Sequence, residues 1–151
     1  MIYEQLKLEN QICFPLYAAS RLIIRAYQED LEKLNITYTQ YLVLMVLWEK
    51  ENLTVNEIAE KLILNTNTVT PLLKRMEYSE LITRLPAAND QRKVMIKLTQ
   101  QGKELQLLAS EIPKNLLSKL KININDDEIL EAIELKNKLN SLINRLEKKT
   151  I

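Results

Sequence analysis

The stretch Thr54-Val55-Asn56-Glu57-Ile58-Ala59-Glu60-Lys61-Leu62-Ile63-Leu64-Asn65-Thr66-Asn67-Thr68-Val69-Thr70-Pro71-Leu72-Leu73-Lys74-Arg75-Met76 decides the fold. Thr54 and Glu57 have the spacing of a capping box, in which a hydroxyl accepts from a free amide at the helix start and the carboxylate reaches back. Leu53 and Ile58 flank it as an apolar staple. Val55, Ile58, Ala59 and Leu62 then fall on one face of a helix over about residues 55–62. After a turn at Ile63-Leu64-Asn65, Val69, Leu72, Leu73 and Met76 repeat at helical spacing. Proline is tolerated in a first turn, so Pro71 permits a start at Thr70, while Asn65 and Thr66 are equally good caps.

Downstream the period changes. Val94, Ile96 and Leu98 alternate with Lys93, Met95 and Lys97, the pattern of a half-buried strand. Leu81-Ile82-Thr83-Arg84-Leu85 can pair with it, leaving residues 86–92 as a polar tip. Upstream, Thr37 and Gln40 form another capping box between Ile36 and Tyr41, opening a helix over about residues 38–50 that is apolar nearly all round. A longer helix precedes it over about residues 8–34, bent or interrupted near Pro15. Beyond Thr99, one helix carries Leu105, Leu108, Ala109, Ile112, Leu116 and Leu120 with a break near Pro113. The last helix carries Ile129, Ile133, Leu139, Ile143 and Leu146, after a third cap at Asn125-Asp126-Asp127-Glu128. Six helices and one hairpin make a mainly α chain. Two short helices joined by a tight turn and followed by a hairpin have the order of a winged helix-turn-helix.

Composition removes most other readings. The chain has 151 residues, 46% hydrophobic and 27% charged, enough for one domain and too few for two ordinary ones. No apolar run reaches membrane-spanning length, and the N-terminus lacks a signal-peptide layout, so a cytoplasmic protein with no membrane partner is expected. One cysteine and no histidine exclude an internal disulfide, leave no ligand set for a zinc site, and remove Cys-His and Ser-His-Asp catalysis. A single glycine, Gly102, cannot build a phosphate-cradling loop. No metal, no cofactor and no enzyme activity are expected.

Net charge is +1, so nucleic-acid binding has to come from local clustering. On the fourth helix the apolar stripe leaves Thr66, Asn67, Thr68, Thr70, Lys74 and Arg75 outward, groups suited to base edges and phosphates. The hairpin adds Arg84, Asp90, Arg92 and Lys93. An arginine on a thin projection fits the narrow minor groove, and Asp90 is placed to hold Arg92 by a bidentate pair. A Lys-Arg pair near a helix end is more often a solvated face, and an Asp-x-Arg in a hairpin usually an idle surface pair. Their common surface is what favours double-stranded DNA. Residues 38–98 would form the DNA-binding part, and residues 8–34 and 100–148 the dimerisation helices of one domain. A homodimer would read a pseudo-palindromic operator.

Two further segments, Ile12-Cys13-Phe14-Pro15-Leu16-Tyr17-Ala18-Ala19-Ser20-Arg21 and Leu34-Asn35-Ile36-Thr37-Tyr38-Thr39-Gln40-Tyr41-Leu42-Val43-Leu44, together with Thr70-Pro71-Leu72-Leu73-Lys74-Arg75-Met76-Glu77 and Asp90-Gln91-Arg92-Lys93, carry a family likeness. The sequence resembles the MarR regulators, and within them the organic hydroperoxide resistance regulators, OhrR, of the single-cysteine type. That resemblance implies a repressor whose lone cysteine, Cys13, is oxidised by an organic hydroperoxide and which then releases DNA. It implies Tyr17, Tyr27 and Tyr38 as the cysteine's partners, with a small thiol as a second reactant or over-oxidation as the outcome. Asn67 stands where the pattern has glycine, Asn65 replaces an acidic cap, Pro15 replaces a small helix former, and Glu80 replaces a helix-ending glycine.

Physical reasoning bears on the same residues. The thiolate is the nucleophile toward peroxide, and phenols stabilise it by donating hydrogen bonds. Tyr17 lies one helical turn from Cys13. Tyr27 is fourteen residues on, about 21 Å along a straight helix, so it reaches the sulfur only from another subunit or across a sharp bend. Other readings stay open. A lone cysteine on an apolar face is often only a small buried hydrophobe, and tyrosines often only pack. The chain would then be a MarR-type regulator answering a small aromatic ligand between the first, second and fifth helices, or a broader redox or virulence regulator. A thiol peroxidase using Arg21, or a helical adaptor without DNA contact, stands further off.

Overall fold

The computed structural model describes residues 3–87, 90–121 and 126–147. Capping residues set several of the boundaries. Thr37 accepts from the Gln40 amide and Gln40 returns the bond, opening α2, Tyr38–Glu49. Thr54 and Glu57 do the same for α3, Val55–Leu62. Ahead of these, two short 3-10 turns, Glu4–Leu6 and Leu8–Asn10, precede α1, Cys13–Lys33. The helix expected from residue 8 therefore begins at Cys13, and no interruption is needed. Pro15 falls in its first turn, where its missing N–H would have had no partner.

Asn65 stands at the N-cap of α4, Thr66–Tyr78, so Pro71 sits inside the helix and not at its start. Strand β2, Ile82–Ala87, pairs antiparallel with β3, Asp90–Leu98, with a bulge between Pro86 and Ala87. Pro86, Ala87, Asp90, Gln91 and Arg92, expected in a polar tip, thus belong to the strands. Residues 88–89 lie outside the described residues, as does Asn125 of the third cap. A strand that periodicity did not signal, β1 at Leu53–Thr54, pairs with β3 at Ile96 and Met95, giving the order β1-β3-β2. The chain after β3 forms α5, Gln100–Ala109, and α6, Ile112–Lys119, broken just ahead of Pro113 as expected, then α7, Asp126–Glu147.

Two compact units are distinguished, Met1–Ile112 and Pro113–Ile151. In the first, Leu44, Leu47, Ile58, Leu73, Met76, Ile82 and Ile96 form the fully buried centre. Helix α1 buries only Asp30 and Leu31 and leaves Phe14, Tyr17, Leu22, Ile23 and Ile24 exposed. In the second unit, α7 leaves Leu130, Ile133, Leu135 and Leu146 exposed. No helix among the described residues is long and apolar enough to cross a membrane.

Among the described residues, α1, α3 and α4 end in the same way without glycine. Asn35, Ile63 and Glu80 take left-handed φ values of 54°, 55° and 57°. In each turn the following amide bonds back to the helix, Ile36 to Leu31, Leu64 to Ala59 and Leu81 to Met76. These are Schellman endings, each followed by an apolar residue that packs on the core. For asparagine the conformation is cheap; for isoleucine and glutamate it costs about 1 kcal/mol or more.

The chain's one glycine has a different use. A Cβ on Gly102 would overlap the Leu81 carbonyl oxygen, so α5 approaches the start of β2 as closely as backbone allows. The Gly102 amide donates to the Thr99 hydroxyl at 3.0 Å, and its carbonyl accepts from the Trp48 indole at 2.9 Å.

Gly102→Ala is expected to destabilise the fold by at least about 2 kcal/mol through overpacking against fixed backbone, and Glu80→Gly to stabilise it by about 1 kcal/mol through release of the left-handed strain. Urea denaturation midpoints check both, and equal midpoints for all three proteins would refute the geometry. Hydrogen bonds from the Thr54 amide and hydroxyl, followed by the charges of Lys50 and Lys93, lower the Glu57 pKa below its ordinary 4.5. A depressed carboxylate stabilises fully above its unfolded value and loses that contribution as pH falls through its folded value. The stability gap between wild type and Glu57→Gln should therefore be widest at neutral pH and close in acid.

Candidate DNA-facing surface and thiol site

Helix α4 turns Val69, Leu72, Leu73 and Met76 inward. Thr66, Asn67, Thr68, Lys74 and Arg75 are exposed, and Thr70 is half-buried. Pro71 has no amide hydrogen, so α4 lacks the usual i+4 donor for the Asn67 carbonyl.

Thr66 and Thr70 meet the wing across a cleft of about 500 Å³, which Thr54, Glu57, Arg84, Arg92 and Lys93 also line. Pairing of β1 with β3 brings the start of α3 beside the wing and so closes this cleft. Asn67, Thr68, Lys74 and Arg75 lie outside it. The two wing arginines differ sharply. Arg92 is 94% exposed, and its amide and Nε both meet one oxygen of Asp90, at 3.1 and 3.4 Å. That is not the bidentate pair expected, because one carboxylate oxygen takes both donors. Arg84 is only 19% exposed and bonds Glu77 of α4 at 3.4 Å. Its backbone amide donates to the same carboxylate at 3.2 Å, while its buried Nε has no hydrogen-bond partner among the described residues. Arg84 therefore braces the wing against α4. Sequence reasoning assigned no role to Glu77; its only signal was an acid at the end of α4 shortly before a strand cation.

The thiol stands at the first position of α1. Cys13 is exposed, and its Sγ lies 3.9 Å from the Gln11 Oε1. One turn on, Tyr17 is 57% exposed, and its hydroxyl accepts a 2.8 Å hydrogen bond from Arg21. The other two tyrosines pack elsewhere in the same chain. Tyr27 and Tyr38 have ring centroids 5.2 Å apart, and Tyr41 joins Tyr27 at 6.0 Å and Trp48 at 6.2 Å. Burial raises the pKa of Tyr27, Tyr38 and Tyr41 above 10.0, so these phenols keep their protons and remain donors. Continuous α1 puts Tyr27 about 21 Å from Cys13 along the axis. One chain thus joins Tyr17 with Arg21 and Tyr27 with Tyr38, and leaves Cys13 one helical turn before Tyr17 with Gln11 as its contact.

Two short helices joined by a tight turn, an exposed polar reading face and a cationic wing define a winged helix-turn-helix DNA-binding regulator. Residues 25–107 match the family described as transcriptional regulator SarA/Rot. The chain is 45% identical over 147 residues to the organic hydroperoxide resistance transcriptional regulator of Bacillus subtilis (strain 168), covering 97% of each. It is similar in structure to AbfR of Staphylococcus epidermidis, with a TM-score of 0.74 at 34% identity over 95% of this chain and 96% of that one. AbfR structures include reduced and overoxidized forms, each bound to DNA. Reduced MarR from E. coli matches with a TM-score of 0.74 at 25% identity over 85% of this chain and 96% of that one. The chain belongs to the SarA/Rot family of transcriptional regulators and has the MarR-type winged fold. These relatives are regulators and not enzymes.

Glu77→Ala is expected to lower stability by about 1–2 kcal/mol, because it leaves a largely buried guanidinium without its acceptor. Unchanged urea unfolding would show that Arg84 needs no partner there.

Proposed function

We propose that the chain is a cytoplasmic, homodimeric, DNA-binding repressor that senses organic hydroperoxides through Cys13. The carrying observation is a lone, exposed thiol at the head of α1 in a chain that is 45% identical along nearly its whole length to a hydroperoxide-resistance regulator. The first unit supplies the reading head, residues 38–98, and the exposed apolar residues of α1 in that unit, and of α7 in the other, are each available for dimerisation. In the reduced dimer, Thr66, Asn67, Thr68, Thr70, Lys74 and Arg75 address the major groove, and Arg92 with Lys93 the minor groove and phosphates of a pseudo-palindromic operator. Arg84 acts from behind, as the brace that sets the wing angle, and Asp90 steadies Arg92.

The two-fold axis also completes the thiol site. Tyr27 and Tyr38 of one subunit, already packed together and protonated, donate to Cys13 of the other, while Tyr17 serves its own chain. A hydroperoxide oxidises the thiolate to sulfenic acid, which condenses with a small thiol or is oxidised further. Either product enlarges and repolarises a group at the dimer seam, and the population shifts toward heads whose spacing no longer fits the operator.

Cys13→Ser should bind operator DNA as wild type does and keep it when cumene hydroperoxide is added; release from that variant in a gel-shift assay would overturn the sensor assignment. Arg92→Ala should weaken binding about tenfold and lower the salt slope by about one unit. Unaltered affinity would remove the wing from the interface. Sedimentation should give twice the monomer mass.

A further inference from the structure

The buried side chains of α4, Val69, Leu72, Leu73 and Met76, form a stripe along one side of the helix. Successive residues turn by about 100°, which puts Asn67, Pro71, Lys74 and Tyr78 in a sector about 60° wide directly opposite that stripe. All four are exposed, Tyr78 to 92%. They make the outermost line of the helix. Thr66 and Thr70 lie on the flank toward the wing, where they line the cleft with Arg92 and Lys93. Thr68 and Arg75 lie on the other flank, both exposed.

A helix seated in the major groove meets the base edges with the line farthest from its own core, and the groove walls with its flanks. Its N-terminal residues reach deepest. On the outermost line of α4 the N-terminal member is Asn67. Pro71 follows with ring carbons alone, while Lys74 and Tyr78 stand about 10 and 16 Å beyond Asn67 along the axis, out toward the phosphates. Asn65 occupies the N-cap, so Asn67 is not needed to close the helix. Among the described residues its carboxamide makes no hydrogen bond within the chain. A donor and an acceptor are thus both free at the deepest point of the reading face.

We propose that Asn67 is a specificity-determining residue that selects adenine at one base pair of each half-site; the inference rests on α4 being the reading helix. Adenine shows an acceptor, N7, beside a donor, the N6 amino group, in the major groove. A carboxamide is the complement of that pair: Nδ2 donates to N7 and Oδ1 accepts from N6. Guanine shows two acceptors, which would leave Oδ1 facing an oxygen or a nitrogen without a hydrogen. Cytosine and thymine each offer one polar group there and cannot engage both atoms. The Pro71 ring, about 6 Å further along the axis, adds apolar surface that suits a thymine methyl.

The test selects the reduced full-length protein and Asn67→Ala separately against a randomised duplex library. Fluorescence anisotropy at one salt concentration then measures both on duplexes that differ from the selected site at single base pairs. Alanine is the better helix former, so the variant keeps α4. Wild type should prefer adenine at one position of each half-site by about tenfold over any other base. Asn67→Ala should lose that preference to within about twofold and keep the preferences at the remaining positions. Replacing the selected adenine by 7-deazaadenine, which removes the N7 acceptor, should weaken wild type about tenfold and leave Asn67→Ala unchanged. The same base profile in both proteins, a flattening of every position alike, a preference lost at a G·C pair, or equal sensitivity to 7-deazaadenine would each overturn the proposal. A Lys74→Ala/Arg75→Ala variant that binds every duplex as wild type does would instead strike α4 as the reading helix, so the two failures are distinguishable.

Discussion

The architecture depends on three left-handed turns that are made without glycine. At Asn35, Ile63 and Glu80 the chain reverses, and the next residue, Ile36, Leu64 or Leu81, drops into the core. Burying an aliphatic side chain is worth about 1.5–3 kcal/mol, more than the strain of one left-handed residue. Each turn also sets the direction of the next element: α2 after Ile36, α4 after Leu64, β2 after Leu81. The angle between α3 and the reading helix, and the point where the wing departs, are thus fixed by apolar burial immediately after a strained residue.

The wing is held at its root by unrelated contacts that reinforce one another. Leu53 and Thr54 pair with Ile96 and Met95, so the residue that caps α3 is also a strand residue. Gly102 lets α5 sit against the Leu81 carbonyl while Trp48 of α2 holds the Gly102 carbonyl. Glu77 of α4 takes both the amide and the guanidinium of Arg84. With helix pair and wing bound this way, the head behaves as one body, and on the proposed reading a change at sulfur acts by re-spacing two heads and not by bending one.

The thiol site shows why a second copy matters to that reading. Each chain carries Cys13 in the first turn of α1 and packs Tyr27 on Tyr38 near the helix's other end. Helical rise alone keeps them apart. On the proposed reading a symmetric partner whose α1 runs the opposite way supplies those phenols to each sulfur, and the exposed apolar residues of α1 give such a partner a reason to pack there.

Much of the fold was legible in the residues because it rests on local chemistry. The capping boxes at Thr37 and Thr54, the inward stripe Val69, Leu72, Leu73 and Met76, and the alternation Val94, Ile96, Leu98 are settled by neighbours within a few positions, and each stands in the structure as its spacing indicates. The outward set on α4 followed from the same stripe. The features left undecided depend on how elements pack against one another. Strand β1 is two residues long and carries no period of its own, and it exists because β3 offers a free edge. Pro71 permitted two helix starts, and packing of Val69 favoured the earlier one. Arg84 reads as a free wing cation until the fold brings Glu77 beside it. Local hydrogen bonding and periodicity are written in order along the chain, whereas the partner of a long polar side chain is chosen only when the backbone has closed around it.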